Sequence, residues 1–396
     1  MVENNRKPIA SLNMFPQFTT MNVIDGQAGI IIYSSLICYS LTIDNILNII
    51  VLLILAGVTI ATLTGDNGLL NKAKLAVNLY SDSEVIEQIK LAHKEWQMSQ
   101  YTGNTENIND FIKDRLNNIY KDNFIKEISK IGKALIITFS DNKIFTYNIS
   151  TDKVLDITNN TNISKSKNEN FVGFYADIDV DGVIDGVIFA DLLVGSIKET
   201  QKWGNSEETY TIPTIDSNDL KEYYISQEEY SGIFGNKPVI SPKGNGNNRF
   251  YIMQLSDYVT NEDTTFYWYY NADRKMNDYD ETTSKNFGAG KNNTDKMILK
   301  WKDKAYGDLH SQDIWGNISS VVEEGWFIPS KDEWMAFGNE LNVTSDKRVQ
   351  YGFIEYCYHS SSQRTARFVW DAHLYQGNIN QIYVNNKIGV RLATAF

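Results

Sequence analysis

Four aspartates, Asp177, Asp179, Asp181 and Asp185, have the spacing in this chain that points most directly to chemistry. They lie in Asp177-Ile178-Asp179-Val180-Asp181-Gly182-Val183-Ile184-Asp185-Gly186, a D-x-D-x-D-G-x-x-D pattern. Carboxylates at alternate positions of a tight loop converge on a hard cation, and the glycine permits the sharp turn. Ile184 stands where such loops carry an apolar residue, but the twelfth position, a bidentate glutamate in a complete helix-loop-helix site, is Ile188. The pattern predicts a truncated loop that takes calcium in a structural role; the alternative is an acidic β-turn with solvated carboxylates.

Other chemical signals are weaker. Phe287-Gly288-Ala289-Gly290-Lys291-Asn292-Asn293-Thr294 contains Gly-Lys, yet it lacks the first glycine of a phosphate loop and has Asn292 where Ser or Thr must meet the metal. A surface loop is expected there. His93, His310, His359 and His373 show no metal-ligand spacing. No nucleophile elbow accompanies any Ser-His-Asp combination. Of the two cysteines, Cys38 falls in an apolar run and Cys357 near the end of the chain, so no disulfide framework is expected. The chain does not read as an enzyme.

The stretch Tyr356 to Asn386 carries a different chemistry, that of contact. It holds Tyr356, Tyr358, His359, Arg364, Arg367, Phe368, His373, Tyr375, Gln376, Asn378, Asn380, Gln381, Tyr383, Asn385 and Asn386. Tyrosine and arginine combine large contact area with hydrogen bonding, which is why they concentrate at interface hot spots. These residues are the candidate ligand-binding face, for a protein or a glycan; an ordinary polar loop with an Asn-rich tail is the alternative. A net charge of -12 with no basic stripe argues against a nucleic-acid partner, because that affinity comes from Lys and Arg neutralising phosphates.

The elements that must position these residues follow from length and patterning. A chain of 396 residues exceeds one ordinary core. Seven of the eight tryptophans lie after residue 200, which places the largest core in the C-terminal half. Residues 1–65 hold two apolar runs, Ala28 to Ile43 and Ile46 to Leu63. A membrane-spanning helix needs roughly 20 apolar residues, and the second run nearly meets that; a buried core helix is the alternative. Residues 66–150 read as a small α+β stem. Its parts are an amphipathic helix through Leu75, Leu79, Val85, Ile86, Ile89 and Trp96, a short helix over Ile108 to Ile119 with Phe111, Leu116 and Ile119 on one face, and a β-hairpin from Ala134-Phe139 and Ile144-Ile149. Residues 151–170, rich in Asn, Ser, Thr and Lys, are the expected linker. In residues 171–396, β-like runs occur at Thr209-Ile212, Arg249-Gln254 and Thr265-Tyr270. Ser330-Lys331-Asp332-Glu333 is a capping box ahead of Trp334, Phe337 and Leu341 at helical spacing.

Two resemblances attach to these residues. Val51 to Ile60 followed by Gly65-Asp66-Asn67-Gly68-Leu69-Leu70 and Lys72-Ala73-Lys74 resembles the prepilin-like N-terminal segment of clostridial surface proteins, although Thr42-Ile43-Asp44-Asn45 stands where that family has basic residues. Gly325-Trp326-Phe327-Ile328-Pro329-Ser330-Lys331-Asp332-Glu333-Trp334, Ser360-Ser361-Ser362-Gln363 and Val390-Arg391-Leu392-Ala393 resemble the formylglycine-generating-enzyme branch of the C-type-lectin fold. Asp313-Ile314-Trp315-Gly316 and Arg249-Phe250-Tyr251 add to the likeness, and His359 stands where many members have Trp. Together the resemblances imply an α+β protein: a pilin-like helix and stem, then a C-type-lectin-like head displayed outside the cell from a membrane anchor, with homo-oligomers through the helix. The family's oxidase holds copper with a pair of cysteines near the C-terminus, and this head has Cys357 alone. The same branch includes the variable proteins of diversity-generating retroelements, whose last strands and loops are rewritten on a fixed scaffold. Tyr356 to Asn386 is rich in residues of that kind. On this reading Trp326, Pro329, Ser330, Glu333, Trp334, Arg391 and Leu392 are frame; a pilin-like or adhesin subunit without diversification is the other reading.

Overall fold

The computed structural model describes residues 69–120, 124–196, 200–271, 275–306 and 309–396, with side chains from Asp82 onward. The chain divides into two compact units, Met1–Glu84 and Val85–Phe396; of the first, only the start of one helix is described. The apolar runs of residues 28–63 and the expected anchor lie outside the described residues. Among the described residues, no helix is long and apolar enough to cross a membrane.

Helix α1, Leu69–Tyr101, forms where the apolar spacing predicts it. Within the second unit it buries Val85, Ile89 and Ala92. Helix α2, Ile108–Tyr120, buries Ile108, Ile112 and Leu116 at four-residue intervals, while Ile119 stays exposed; its inward face lies one step round from the one the sequence suggests. Arg115 joins the helices through Glu95 at 2.6 Å. Both pack on an antiparallel sheet in the order β1 (Ile125–Ile131), β2 (Ala134–Phe139), β3 (Ile144–Asn148), β4 (Lys153–Asp156). The expected hairpin is β2–β3.

The stretch expected as linker is partly consumed by sheets. Strand β4 completes the stem, and β5, Thr161–Asn162, pairs with Tyr224 and Ile225 of the head. A polar segment adds strands here because backbone groups along an open sheet edge seek partners whatever the side chains.

The head is mixed. Strands β6 (Tyr175–Ala176), β7 (Gly186–Asp191), β8 (Tyr223–Gly232), β9 (Gly235–Pro242) and β10 (Phe250–Gln254) precede five helices: α3 (Tyr279–Thr282), α4 (Gly290–Lys302), α5 (Ile314–Asn317), α6 (Ser319–Glu323) and α7 (Lys331–Glu340). Strands β11 (Cys357–Gln363), β12 (Phe368–His373), β13 (Asn378–Tyr383) and β14 (Ala393–Ala395) close the chain. The seven-stranded sheet has the order β14-β10-β7-β6-β9-β8-β5, parallel only at β6–β9; β11-β12-β13 form a separate antiparallel sheet. Strand β7 is buried along its whole length because both faces are covered. Ile188 faces one core cluster with Trp268, Trp315 and Leu392; Val187 and Phe189 face a second with Trp334 and Phe337. Thr209-Ile212 and Thr265-Tyr270, expected as strands, make only single bridges and instead drive Tyr210, Ile212, Phe266, Trp268 and Tyr269 into these clusters. Gly290, expected in a surface loop, starts helix α4.

The frame residues Trp326, Pro329, Ser330, Glu333, Trp334, Arg391 and Leu392 are all buried. The capping box forms: the Glu333 amide donates to Ser330 Oγ at 3.3 Å, and the Ser330 amide to Glu333 Oε2 at 2.6 Å. The amides of Gly288 and Gly290 also donate to Glu333 Oε1, so the glycine turn that invites a phosphate reading serves this carboxylate instead. Near the other end, Arg391 Nε donates to Asp257 Oδ1 at 2.8 Å, with both side chains fully inside. Removing one partner of a buried ion pair typically costs about 3–5 kcal/mol, because the other charge is left uncompensated. Asp257→Asn is therefore expected to lower stability by about that amount, measured by urea unfolding. A loss below ~1 kcal/mol would remove the pair from its structural role.

Candidate functional site

Two places in the unit Val85–Phe396 carry arrangements with chemical consequences. The first is the turn between β6 and β7. Gly182, at φ +80°, supplies the left-handed residue that the sequence pattern requires, and Val180 is also left-handed at φ +55°, a conformation disfavoured for a β-branched side chain. The loop then closes on itself. Asp177 accepts from the amides of Asp181 (3.1 Å) and Gly182 (2.8 Å), and Asp185 Oδ2 accepts from the Ile178 amide (2.7 Å).

This closure brings carboxylate oxygens of Asp177, Asp179 and Asp185 within 4.8 Å of one another. Asp181, expected as a fourth ligand, is not among them. It accepts from the Val183 amide and pairs with Lys153 of β4 at 3.6 Å, so the alternation carries it to the stem side of the loop. Burial is the main cause that pushes the carboxyls of Asp177 and Asp185 up to about 7, and it raises that of Asp179 as well, with Asp181 adding repulsion. Asp179 Oδ1 is buried and accepts no hydrogen bond. Crowded, desolvated carboxylates with an unused oxygen fit a hard, oxygen-liganded cation such as calcium, which takes six to eight oxygens and needs carbonyls or waters besides these three side chains. With no His or Cys in the set, a soft metal does not fit.

The loop is also a joint. Asn148 Nδ2 and Thr146 Oγ1, both on stem strand β3, donate to the carbonyls of Asp179 (3.0 Å) and Val180 (3.4 Å). Leu155 packs where a Cβ on Gly182 would have to sit, 3.0 Å away. The two residues whose carbonyls meet the stem thus lie within the turn whose carboxylates would hold the cation.

The second place is the three-stranded sheet carrying the contact residues. Tyr356, Arg364, Arg367, Tyr375, Gln376, Asn380, Gln381, Tyr383, Asn385 and Asn386 are exposed, and Phe368, His373 and Asn378 are half-buried. Tyr358 and His359, expected on the ligand face, are interior. The Tyr358 hydroxyl donates to Asp257 Oδ2 at 2.6 Å, and His359 Nε2 bonds the Phe266 carbonyl at 2.8 Å beneath Trp268. A carbonyl only accepts, so Nε2 carries the proton; burial lowers the His359 pKa to about 4 and keeps the ring neutral. Both leave the ligand-facing set for the frame.

The aromatic and arginine groups divide between the two ends of the sheet, with the exposed Asn380 and Gln381 between them on β13. At one end the Phe368 and Tyr383 rings lie 4.3 Å apart, tilted at 35°, across β12 and β13, and the Arg364 guanidinium lies 4.7 Å from the Trp370 ring. At the other, about 17 Å along the strands, Tyr356 meets Tyr375 edge-on and the Arg348 guanidinium lies 4.2 Å over Tyr356. Arg348 thus belongs to this second cluster, and Val349 and Ile354, near it in the chain, are both strongly exposed; none of the three is among the contact residues expected from the sequence. Two aliphatic residues within seven positions of Tyr356, in a stretch with no periodicity, were the available signal. Cys357 is half-buried, its thiol pushed up to about 12 by burial and then by Asp371, so it stays protonated.

No protein-family model, no curated protein and no solved structure matches this chain.

The loop makes a pH-dependent prediction. Asp177 and Asp185 bind protons more tightly folded than unfolded, so in chelator their contribution is largest below about pH 4 and is lost as pH rises through about 7. A cation needs the ionised forms, so calcium affinity should rise between about pH 6 and 8. Thermal denaturation in chelator and in calcium is expected to diverge with rising pH, and Asp185→Asn to abolish the divergence. Identical melting curves at pH 8 would dismiss the loop as a metal site.

Proposed function

We propose that this is a surface-displayed binding protein whose C-terminal sheet and loops meet a protein or glycan ligand, and that its head belongs to the C-type-lectin-like, diversity-generating class. The reading rests chiefly on one observation: large contact-type side chains stand in solvent on a sheet whose underside is fixed. Tyr356 and Tyr375 are 55 % and 62 % exposed. On the buried side of β11, the Ser361 amide donates to the Pro329 carbonyl (2.7 Å), Lys331 N to Ser362 Oγ (3.0 Å) and Trp334 Nε1 to the His359 carbonyl (3.0 Å). Side chains that add nothing to the core can be replaced without unfolding the head, and rigid aromatic groups bind with little loss of rotamer entropy. The chemistry of the surface supports binding and not catalysis. Calcium at the Asp177 loop would stiffen the head against its stem, and the apolar segment at residues 46–63 would anchor the whole at the membrane.

The reading is tested by sequencing the locus from several isolates. Substitutions are expected to concentrate at Tyr356, Arg364, Tyr375, Asn380 and Tyr383 and to spare Tyr358, His359 and Arg391, with an adenine-rich template repeat and a reverse transcriptase nearby. An even spread, with neither repeat nor transcriptase, would sink the diversification idea. In the purified protein, the double change Tyr356→Ala and Tyr375→Ala should shift stability by no more than ~0.5 kcal/mol.

A second reading, a structural pilin-like subunit, is favoured by the 33-residue helix α1, which keeps Leu91 and Met98 exposed on its surface. Deleting residues 46–63 is then expected to abolish filaments seen by electron microscopy, whereas binding by the head would survive.

A further inference from the structure

Beside the carboxylate loop, a groove of about 370 Å³ runs between the end of β4 with the residues just after it and the β8–β9 hairpin of the head. Its apolar walls include Leu155, Ile157 and Val239; its acidic groups include Asp156, Glu228 and Glu229. Glu228 and Glu229 are neighbours on β8, and in a regular strand their side chains would point to opposite faces. The register of β8 against β9 breaks between Ile225 and Glu229, and with that irregularity both line the groove.

No lysine, arginine or histidine among the described residues lines this space. Among the described residues, none of Asp156, Glu228 and Glu229 forms an ion pair. The nearby cations are engaged elsewhere: Lys237 lies over the Phe174 ring at 5.3 Å, and Lys153 pairs with Asp181. Asp177 also borders the groove, its oxygens taken by the amides of Asp181 and Gly182. Tyr230, 39 % exposed, completes the wall, and its ring is fixed against buried Tyr175 at 4.8 Å and 76°. An apolar channel with uncompensated carboxylates and an aromatic ring complements a flexible hydrocarbon chain that ends in a cation. An anion or a neutral sugar would leave the carboxylates unanswered.

We propose that this groove binds an aliphatic ammonium ion, with methylenes along Leu155, Ile157 and Val239 and the ammonium among Glu228, Glu229 and Tyr230. The same chemistry occurs in a free polyamine and in a lysine side chain presented by a peptide. The site is separate from the exposed tyrosines of the C-terminal sheet and does not require a cation in the aspartate loop.

The test is calorimetric titration of the full-length protein at low salt, after divalent metal has been stripped and the chelator dialysed away. The probes are spermidine, Nα-acetyl-lysine methylamide and uncharged 1,5-pentanediol. Both amines are expected to bind and pentanediol not to. Glu228→Gln combined with Glu229→Gln should weaken the amines about tenfold, with unfolding temperature unchanged, and Tyr230→Leu should weaken them as well. Tighter binding of spermidine identifies a free polyamine as the natural class, and tighter binding of the lysine derivative a peptide. Amines that bind no better than pentanediol, or affinity unaltered in the double glutamine variant, would overturn the proposal. Because the titration contains no divalent metal, its outcome is independent of whether the aspartate loop takes calcium.

Discussion

The C-terminal three-stranded sheet depends on one buried electrostatic contact, between Asp257 and Arg391. Arg391 also donates to the carbonyls of Tyr351 and Gly352 and stacks 3.6 Å over Phe353. Asp257 accepts from the Ile354 amide and the Tyr358 hydroxyl as well as from Arg391. Two side chains thus satisfy backbone groups across Tyr351 to Ile354 and hold β11 through Tyr358. Burying charges is costly unless each finds partners, and here both do. The arrangement leaves the polypeptide just before β11 fixed while Val349, Ile354 and Tyr356 point outward.

The same separation of roles recurs at the start of helix α7. Glu333 is fully buried, and its carboxylate gathers the amides of Ser330, Gly288 and Gly290. A cap that serves only its own helix contributes about 1 kcal/mol; this one also pins the turn before α4. The consecutive serines of β11 complete the mount. Ser362 Oγ takes the Lys331 amide and donates to the Ser284 carbonyl, and Asn293 Nδ2 donates to Ser361 Oγ. Short hydroxyl side chains let β11 lie close to helices α4 and α7 with Ser361 and Ser362 hydrogen-bonded to their neighbours. Contact chemistry can therefore sit on one side of the strands while the other side is fixed.

At the far side of the head, the aspartate turn performs two tasks with different parts of the same residues. Its side chains converge inward, and its carbonyls face Thr146 and Asn148 of the stem. Ionised carboxylates repel one another in this setting, and burial favours their protonated forms. A cation would reverse that balance and tighten the turn against which the stem rests. The adjoining groove faces the same junction with carboxylates that, among the described residues, form no ion pair, so positive charge from outside is favoured there.

Local signals in the sequence were sufficient for the stem and the frame. Apolar spacing located helices α1 and α2, alternation located the β2–β3 hairpin, and the Ser330–Glu333 box located α7, because each depends on residues within a few positions of one another. The aspartate spacing likewise located a tight turn. Tertiary structure decided the rest. Asp181 turned to Lys153, Tyr358 and His359 went inside, and part of the polar stretch after Ser150 paired with β8, since each outcome depended on a partner supplied from elsewhere in the chain. Arg348 met the Tyr356 ring for the same reason, and Val349 and Ile354 were left in solvent. Composition determined that Tyr356 to Asn386 is rich in contact residues; which of them reach solvent depends on strand pleat and on what packs beneath, and neither is encoded locally.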